Sequence, residues 1–202
     1  MKEGLLMIKN GKGGANTNKN GLTFQEKCSS VKLLKDKGYP LKPIENVDSR
    51  VEAFTLEKNG KPAVIITRDS RMYKDIASIY PEANNHNVMS KEIKTDDAVI
   101  DLESKIAHIF EARDQNVNGS TDDKLASCEF KRLELLKFFG PLGFDVRYTF
   151  ICSDFFKHPK YKDLIDYINS KEKCFICFNE FPLDTIEILK DIDSFDKVET
   201  NE

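Results

Sequence analysis

Asp96, Glu111 and Arg113 are the residues of the chain whose types and spacing most suggest chemistry. Carboxylate oxygens are the hard ligands that suit Mg²⁺ in proteins. A neighbouring cation stabilises the negative charge that develops on a phosphate under attack. The three residues therefore predict a compact metal-assisted site. The alternative is a salt bridge on a solvated edge strand, which this segment favours when it is taken alone.

Two short predicted strands position these side chains. Residues Ala98–Leu102 and Ile106–Ala112 form a strand pair turned by three polar residues. Asp96 stands just before the first strand, and Glu111 lies near the end of the second. Side chains alternate along a strand, so Glu111 and Arg113 project from the same face, with the residue between them pointing away.

The remaining chain alternates between helical and strand patterns without an internal repeat. Asn59-Gly60 predicts a tight hairpin turn between two of the strands. The order of elements predicts one α/β or α+β domain, with a central mixed β-sheet flanked by helices. The predicted helices cover Phe24–Lys37, Met72–Ile79, Asp123–Phe139 and Lys160–Ser170, and the further strands cover Val51–Leu56, Ala63–Thr67, Phe144–Cys152 and Cys174–Phe178.

Composition excludes several classes of protein. The chain has 202 residues, 40% of them hydrophobic, with 14 phenylalanines, which suffices for a packed core and argues against disorder. No apolar run approaches the ~18 residues of a membrane span. The apolar run near the N-terminus is too short for a secretory signal. Five cysteines do not make a disulfide framework, so we expect a soluble cytoplasmic protein.

Charge is distributed unevenly along the chain. Residues 184–202 carry seven acidic residues and two lysines, which leaves residues 1–183 at +2 in a chain of net charge −3. We therefore expect a single domain over residues 1–183, which opens with a Gly/Asn/Lys arm over about residues 1–20, and an acidic C-terminal tail over residues 184–202. A mildly basic body permits nucleic-acid binding without indicating it.

Two other patterns predict structural roles rather than chemistry. Cys174 and Cys177 form a Cys-x-x-Cys pattern inside a predicted strand, so their side chains point to opposite faces and favour burial over zinc or redox chemistry. The three histidines, His86, His108 and His158, share no metal-ligand spacing. We expect core or half-exposed positions for them.

The arrangement Asp96…Glu111-Ala112-Arg113 resembles the catalytic signature of the type II restriction endonucleases of the PD-(D/E)XK nuclease superfamily. Residues 115–131 resemble a block found in one group of these enzymes, in which the catalytic strand runs into a Gln-rich turn. Residues 13–24 and 160–183 resemble the opening and the ending of the same group. The resemblance covers most of residues 11–183.

The resemblance implies a restriction-endonuclease-like core and sequence-specific, Mg²⁺-dependent hydrolysis of double-stranded DNA. Asp96 and Glu111 would bind the metal ion, and Arg113 would orient the attacking water. Glu26, or its neighbour Gln25, would complete the site from the first helix. A palindromic target implies a homodimer, and restriction of foreign DNA implies a companion DNA methyltransferase.

The resemblance also places two segments near DNA, the N-terminal arm and the turn after the catalytic strand. Asn and Gln carry the amide pair that reads adenine edges. The DNA-binding residues expected from these segments are Lys12, Asn16, Asn18, Lys19, Gln115, Asn116, Asn118, Ser120 and Lys124.

The sequence departs from the family pattern at three positions. Arg113 stands where the family has lysine, Gln25 stands where it has glutamate, and Thr95 stands where it has proline. Arginine keeps the charge but cannot give up a proton. Two alternatives therefore stay open: a catalytically impaired DNA-binding relative, and a non-nucleic-acid interaction module whose acidic tail recruits a partner.

Overall fold

A seven-stranded β-sheet organises the chain in the computed structural model, which describes residues 23–45, 51–85, 89–115 and 121–198. The strands lie side by side in chain order. Neighbours are antiparallel from β1 to β5 and parallel from β5 to β7. This mixed sheet with helices is an α/β fold, as predicted. The strands are β1 Lys42–Pro43, β2 Phe54–Lys58, β3 Lys61–Thr67, β4 Asp97–Asp101, β5 Ile106–Arg113, β6 Asp145–Cys152 and β7 Cys174–Phe178.

Helices connect the parallel strands and cover the sheet. Helices α4 and α5 lie between β5 and β6 in the chain, and α6 lies between β6 and β7. Parallel neighbours require crossover connections of this kind. No helix of the described residues is both long and apolar enough to cross a membrane. The helices are α1 (residues 23–27), α2 Ser30–Asp36, α3 Arg71–Ile79, α4 Thr121–Ala126, α5 Cys128–Phe139 and α6 Lys162–Asn169.

Both faces of the central strands β4 and β5 are largely buried. Ala107 and Ile109 of β5 pack with α3, α4, α5 and α6 in one core, whereas Phe110 packs with α2 and the C-terminal residues in the other. This confirms the predicted alternation along β5. Strands buried on both faces are nearly continuously apolar, because neither face meets water.

The turn between β2 and β3 matches the sequence prediction. Asn59 and Gly60 have φ angles of 53° and 71°, the pair of positive values that a type I′ turn requires. Asp196 accepts hydrogen bonds from both of their backbone N–H groups, at 3.0 and 2.7 Å. A carboxylate from the end of the chain therefore holds this hairpin.

Two predicted helices are interrupted. The helix predicted over Asp123–Phe139 is divided at Ser127 into α4 and α5. Leu133 of α5 is 46% exposed. It lies five residues after the buried Cys128, which at about 100° per residue turns it well away from the sheet. The helix predicted over Phe24–Lys37 is likewise divided into α1 and α2.

The acidic C-terminal segment packs against the sheet, in contrast to the appended tail expected from its charge. Ile186, Leu189 and Phe195 are 0%, 1% and 5% exposed in the second core. The hydroxyl of Tyr39 donates a hydrogen bond to the Leu189 carbonyl. Up to Phe195 this segment therefore belongs to the packed body, which corrects the boundary expected after residue 183.

Candidate active site at the end of the central strands

The sheet register brings Asp96 beside the end of β5. Asp97 pairs with Phe110 in the antiparallel β4–β5 ladder, so Asp96 reaches the level of the next residues of β5. The backbone N–H of Ala112 donates to the Asp96 carboxylate at 2.9 Å. The predicted approach of Asp96 to the Glu111–Arg113 segment is therefore present.

Arg113 bridges the two carboxylates. One terminal nitrogen of its guanidinium lies 3.3 Å from Asp96 Oδ2 and donates to the Ala112 carbonyl at 2.8 Å. The other terminal nitrogen forms an ion pair with Glu111. The Nε atom is buried and has no hydrogen-bond partner among the described residues. Arg113 therefore fixes the spacing of the two acids.

Glu111 is buried at the centre of this cluster, with a side chain 3% exposed. Lys131 Nζ lies 2.7 and 2.9 Å from its two carboxylate oxygens, and the hydroxyl of Tyr148 donates to the same carboxylate. Such compensation is required, because a buried unpaired charge is costly. Since β5 lies between β4 and β6, the alternative of a solvated edge-strand salt bridge is wrong.

Lys131 and Tyr148 are site residues that the sequence analysis missed. Lys131 lies in the block of residues that resembles restriction endonucleases, but no spacing rule links it to Glu111. Burial, followed by the positive charge of Arg113, lowers the pKa of Lys131 to about 8. Burial raises the pKa of the Tyr148 hydroxyl well above its usual value, so it acts as a neutral hydrogen-bond donor.

Asp97 has a different role from its neighbour Asp96. It is buried, and it accepts hydrogen bonds from the backbone N–H of Ser30, at 2.8 Å, and from the Ser30 hydroxyl. Burial raises the pKa of Asp97 to about 6, and the two hydrogen bonds oppose this shift. A carboxylate is favourable at a helix N-terminus, so Asp97 ties α2 to β4.

Gln25, rather than Glu26, lines the space beside the site. A small recess is bounded by Gln25, Cys28, Asp96, Asp97, Phe110, Ala112 and Ile151. Glu26 is exposed on α1. A catalytic role for Glu26 stays a prediction.

Most of the predicted DNA-binding residues lie outside the described residues, namely Lys12, Asn16, Asn18, Lys19, Asn116, Asn118 and Ser120. Of the two that are described, Lys124 is exposed on α4, whereas Gln115 is 7% exposed. The backbone N–H of Gln115 donates to the Ser153 hydroxyl at 3.3 Å. Reading a base edge requires an accessible side chain, which Gln115 does not present in this arrangement.

The cysteines and one histidine have the structural positions that were expected. Cys174 and Cys177 lie in different cores on opposite faces of β7, and all five cysteines are free. His108 is 5% exposed. Burial, followed by the positive charge of Arg147, lowers the pKa of His108 to about 4. His158 is exposed, in contrast to the core or half-exposed position expected for it, and His86 lies outside the described residues.

Asp96 and Glu111 supply carboxylate oxygens, the type of ligand that suits Mg²⁺. Asp96 has a side chain 28% exposed and supplies an accessible carboxylate beside the buried Glu111. The described residues contain no group of three or more His, Cys, Asp and Glu side chains arranged to hold a metal ion. Mg²⁺ typically takes one or two protein carboxylates and completes its shell with waters and phosphate oxygens.

The cluster joins two acids, Asp96 and Glu111, to two cations, Arg113 and Lys131, so its formal charges balance. It can hold a divalent cation on the acids and an anionic substrate group on the cations. Comparisons of the chain with protein-family models, curated proteins and solved structures give no match.

Proposed function

We propose that the protein is a sequence-specific type II restriction endonuclease of the PD-(D/E)XK superfamily, which cleaves double-stranded DNA by Mg²⁺-dependent phosphodiester hydrolysis. The observation that carries the proposal is the cluster of Asp96, Glu111 and Arg113 at the ends of two adjacent central strands. A buried carboxylate surrounded by cations is typical of a functional site more than of a surface ion pair. The mixed sheet is consistent with a restriction-endonuclease-like core.

In this proposal Asp96 and Glu111 hold the magnesium ion. When bound, the ion supplies Lewis-acid activation of the phosphate and of a water molecule. The protein contributes the spacing of the two carboxylates, which Arg113 sets by contacting both. Hydrolysis forms a bond between the water oxygen and phosphorus and breaks the bond to the leaving oxygen, while the water gives up a proton and the leaving oxygen gains one.

Arg113 acts through its charge rather than as a base. An arginine side chain is a hydrogen-bond donor and does not accept protons in proteins. Its positive charge lies beside both carboxylates, so it also offsets negative charge that builds on a bound phosphate. The arginine in place of the family's lysine is therefore compatible with a role in electrostatic stabilisation.

The wider setting follows from the proposed reaction. A palindromic target would be cut by a homodimer with one site per strand. The N-terminal arm and the turn after β5 would contact the duplex, and a companion DNA methyltransferase would protect the host. Free cysteines are consistent with a cytoplasmic protein.

Incubation of the purified protein with a long unmethylated plasmid and Mg²⁺ tests the proposal. Discrete fragments that disappear when the metal is chelated support a site-specific nuclease. An intact plasmid at protein excess, over a range of divalent ions, contradicts it. Binding to a labelled duplex is measured in the same series, because backbone contacts make it weaken with salt.

A catalytically impaired DNA-binding relative is the second candidate, and one observation favours it. The terminal nitrogens of Arg113 already contact Asp96, Glu111 and the Ala112 carbonyl. In addition, Gln25 stands where the family has an acid. This candidate predicts salt-sensitive duplex binding without cleavage. The plasmid assay separates the two.

A further inference from the structure

Lys131 occupies a position at the site that the proposed function has not used. Its ammonium group lies 2.7 and 2.9 Å from the two oxygens of Glu111. An ammonium group has three N–H donors, so these contacts leave one donor for a further oxygen. Its side chain is 24% exposed, so Lys131 lies partly at the protein surface.

Arg113, the other cation, is in a different situation. One of its terminal nitrogens contacts Asp96 and the Ala112 carbonyl, and the other contacts Glu111. Its donors therefore serve mainly to hold protein groups together. Lys131, by contrast, contacts a single carboxylate among the described residues and projects from a different element of the fold.

The position of Lys131 is fixed by packing rather than by a mobile stem. Helix α5 is anchored on the sheet through Cys128 and Leu135, which are both 0% exposed. Tyr148, also fully buried, has its ring 5.9 Å from the Lys131 ammonium and donates its hydroxyl to the same carboxylate. Precise placement of a charged donor is what stabilisation of a reacting group requires.

We propose that Lys131 is a catalytic residue of this site, which donates its remaining N–H to a non-bridging oxygen of the scissile phosphate. The inference rests on the proposed nuclease function. The role is electrostatic: the ammonium group offsets the negative charge that increases on the phosphate as water attacks. Helix α5 thereby supplies the cation that contacts the phosphate, while Arg113 on β5 holds the two acids together.

The experiment compares Lys131→Met, Lys131→Arg and the parent in single-turnover cleavage of a duplex with Mg²⁺. Methionine keeps the aliphatic stem but removes the charge, so cleavage should slow by about 10²-fold. Duplex affinity without divalent ions should change less than about threefold, since one phosphate contact among many is lost. Lys131→Arg keeps the charge and should recover about tenfold or more of the lost rate.

Lys137→Met is the matched control, because Lys137 lies on the same helix and pairs with Glu134 at the surface. It should cut like the parent. If Lys131→Met does not fold, Lys131→Gln retains donors to Glu111 without the charge and replaces it in the comparison.

The outcomes separate the two proposals. A parent that cuts, together with Lys131→Met at a rate within twofold, overturns the role of Lys131 alone. A rate loss that is matched by an equal loss of duplex affinity or of folded protein also overturns it, because a structural role accounts for that result. A parent that cuts no DNA overturns the proposed function and the role of Lys131 together.

Discussion

The Asp97 carboxylate accepts hydrogen bonds from both the backbone N–H and the hydroxyl of Ser30, so the first turn of α2 is tied to the strand that begins beside Asp96. Two adjacent acids thus have separate roles: Asp96 belongs to the candidate active site, and Asp97 positions a helix against it.

Ser30→Ala should destabilise the fold by about 1 to 3 kcal/mol, because a buried carboxylate loses one of its donors. Equilibrium denaturation in urea measures this free energy of unfolding. Ser29→Ala is the matched control, because the Ser29 side chain makes no cap hydrogen bond to α2. Equal effects of the two substitutions would contradict the importance of the Asp97 contact.

Glu111→Ala should abolish cleavage, with a loss of about 10²-fold or more, because it removes a proposed metal ligand and the partner of two cations. Duplex binding should persist, since phosphate contacts elsewhere remain. Glu134→Ala, at a partly buried residue of α5 that pairs with Lys137 rather than with the site, provides the control. The site assignment fails if Glu111→Ala cuts DNA as fast as the parent.

Arg113→Lys should reduce cleavage by roughly tenfold, about 1.4 kcal/mol at the transition state. The guanidinium contacts Asp96 and Glu111 through separate nitrogens, and one ammonium nitrogen on a shorter reach cannot reproduce both contacts. Single-turnover rates with Mg²⁺ test this. A faster variant would show instead that the arginine lowers the cleavage rate and that its contacts with Asp96 and Glu111 are not needed for cleavage.

His108 should make the folded state sensitive to acid. Its pKa lies near 4 in the fold against an ordinary value of 6.5, so between these values the unfolded chain binds more protons and stability falls as the pH is lowered. On acidification from pH 7 to pH 4.5, the free energy of unfolding of His108→Gln should therefore fall by about 2 kcal/mol less than that of the parent. Thermal unfolding at both pH values gives the comparison.

The comparison with the parent is necessary because Asp97 has the opposite effect. Its raised pKa, about 6, means that protonation of this carboxyl favours the folded state in part of the same range. The charged groups that act on His108 are Arg147 and Asp101. If the variant and the parent lose equal stability on acidification, His108 is not the acid-sensitive group.

Truncation after Lys190 should destabilise the protein. Phe195 is 5% exposed, and removal of a buried phenylalanine side chain costs about 3 to 5 kcal/mol. Phe195→Ala in the full chain should reproduce most of the loss. Val198→Ala, at a residue 45% exposed, should change little. A truncated protein that unfolds at the parent's temperature would show that the segment is dispensable after all.

Local patterns explain which features the sequence could predict. The Asn59-Gly60 turn and the alternation of Ile109, Phe110 and Glu111 follow from neighbouring residues alone, and both are present. These features depend on backbone preference and on a period of two, which require no knowledge of distant contacts.

The missed features depend on contacts between distant segments. Lys131 and Tyr148 reach Glu111 from 20 and 37 residues away in the chain, on elements whose rotation toward the site is set by core packing. Phe195 was missed because the acidic residues around it suggested a solvated tail. Acidic residues indicate that one side of a segment is exposed, but they do not predict whether the apolar residues between them are buried.

The parallel pairing of β5 and β6 has a consequence for newly made chains. Helix α5 and β6 both follow β5 in the chain, so Lys131 and Tyr148 meet Glu111 only after the crossover has closed. Non-local parallel pairing of this kind forms slowly, because loop closure costs entropy before the contacts are made. Under the proposed function, an unfinished chain that has formed only the β2–β5 meander lacks the complete site, and the host chromosome is spared until the enzyme is fully folded.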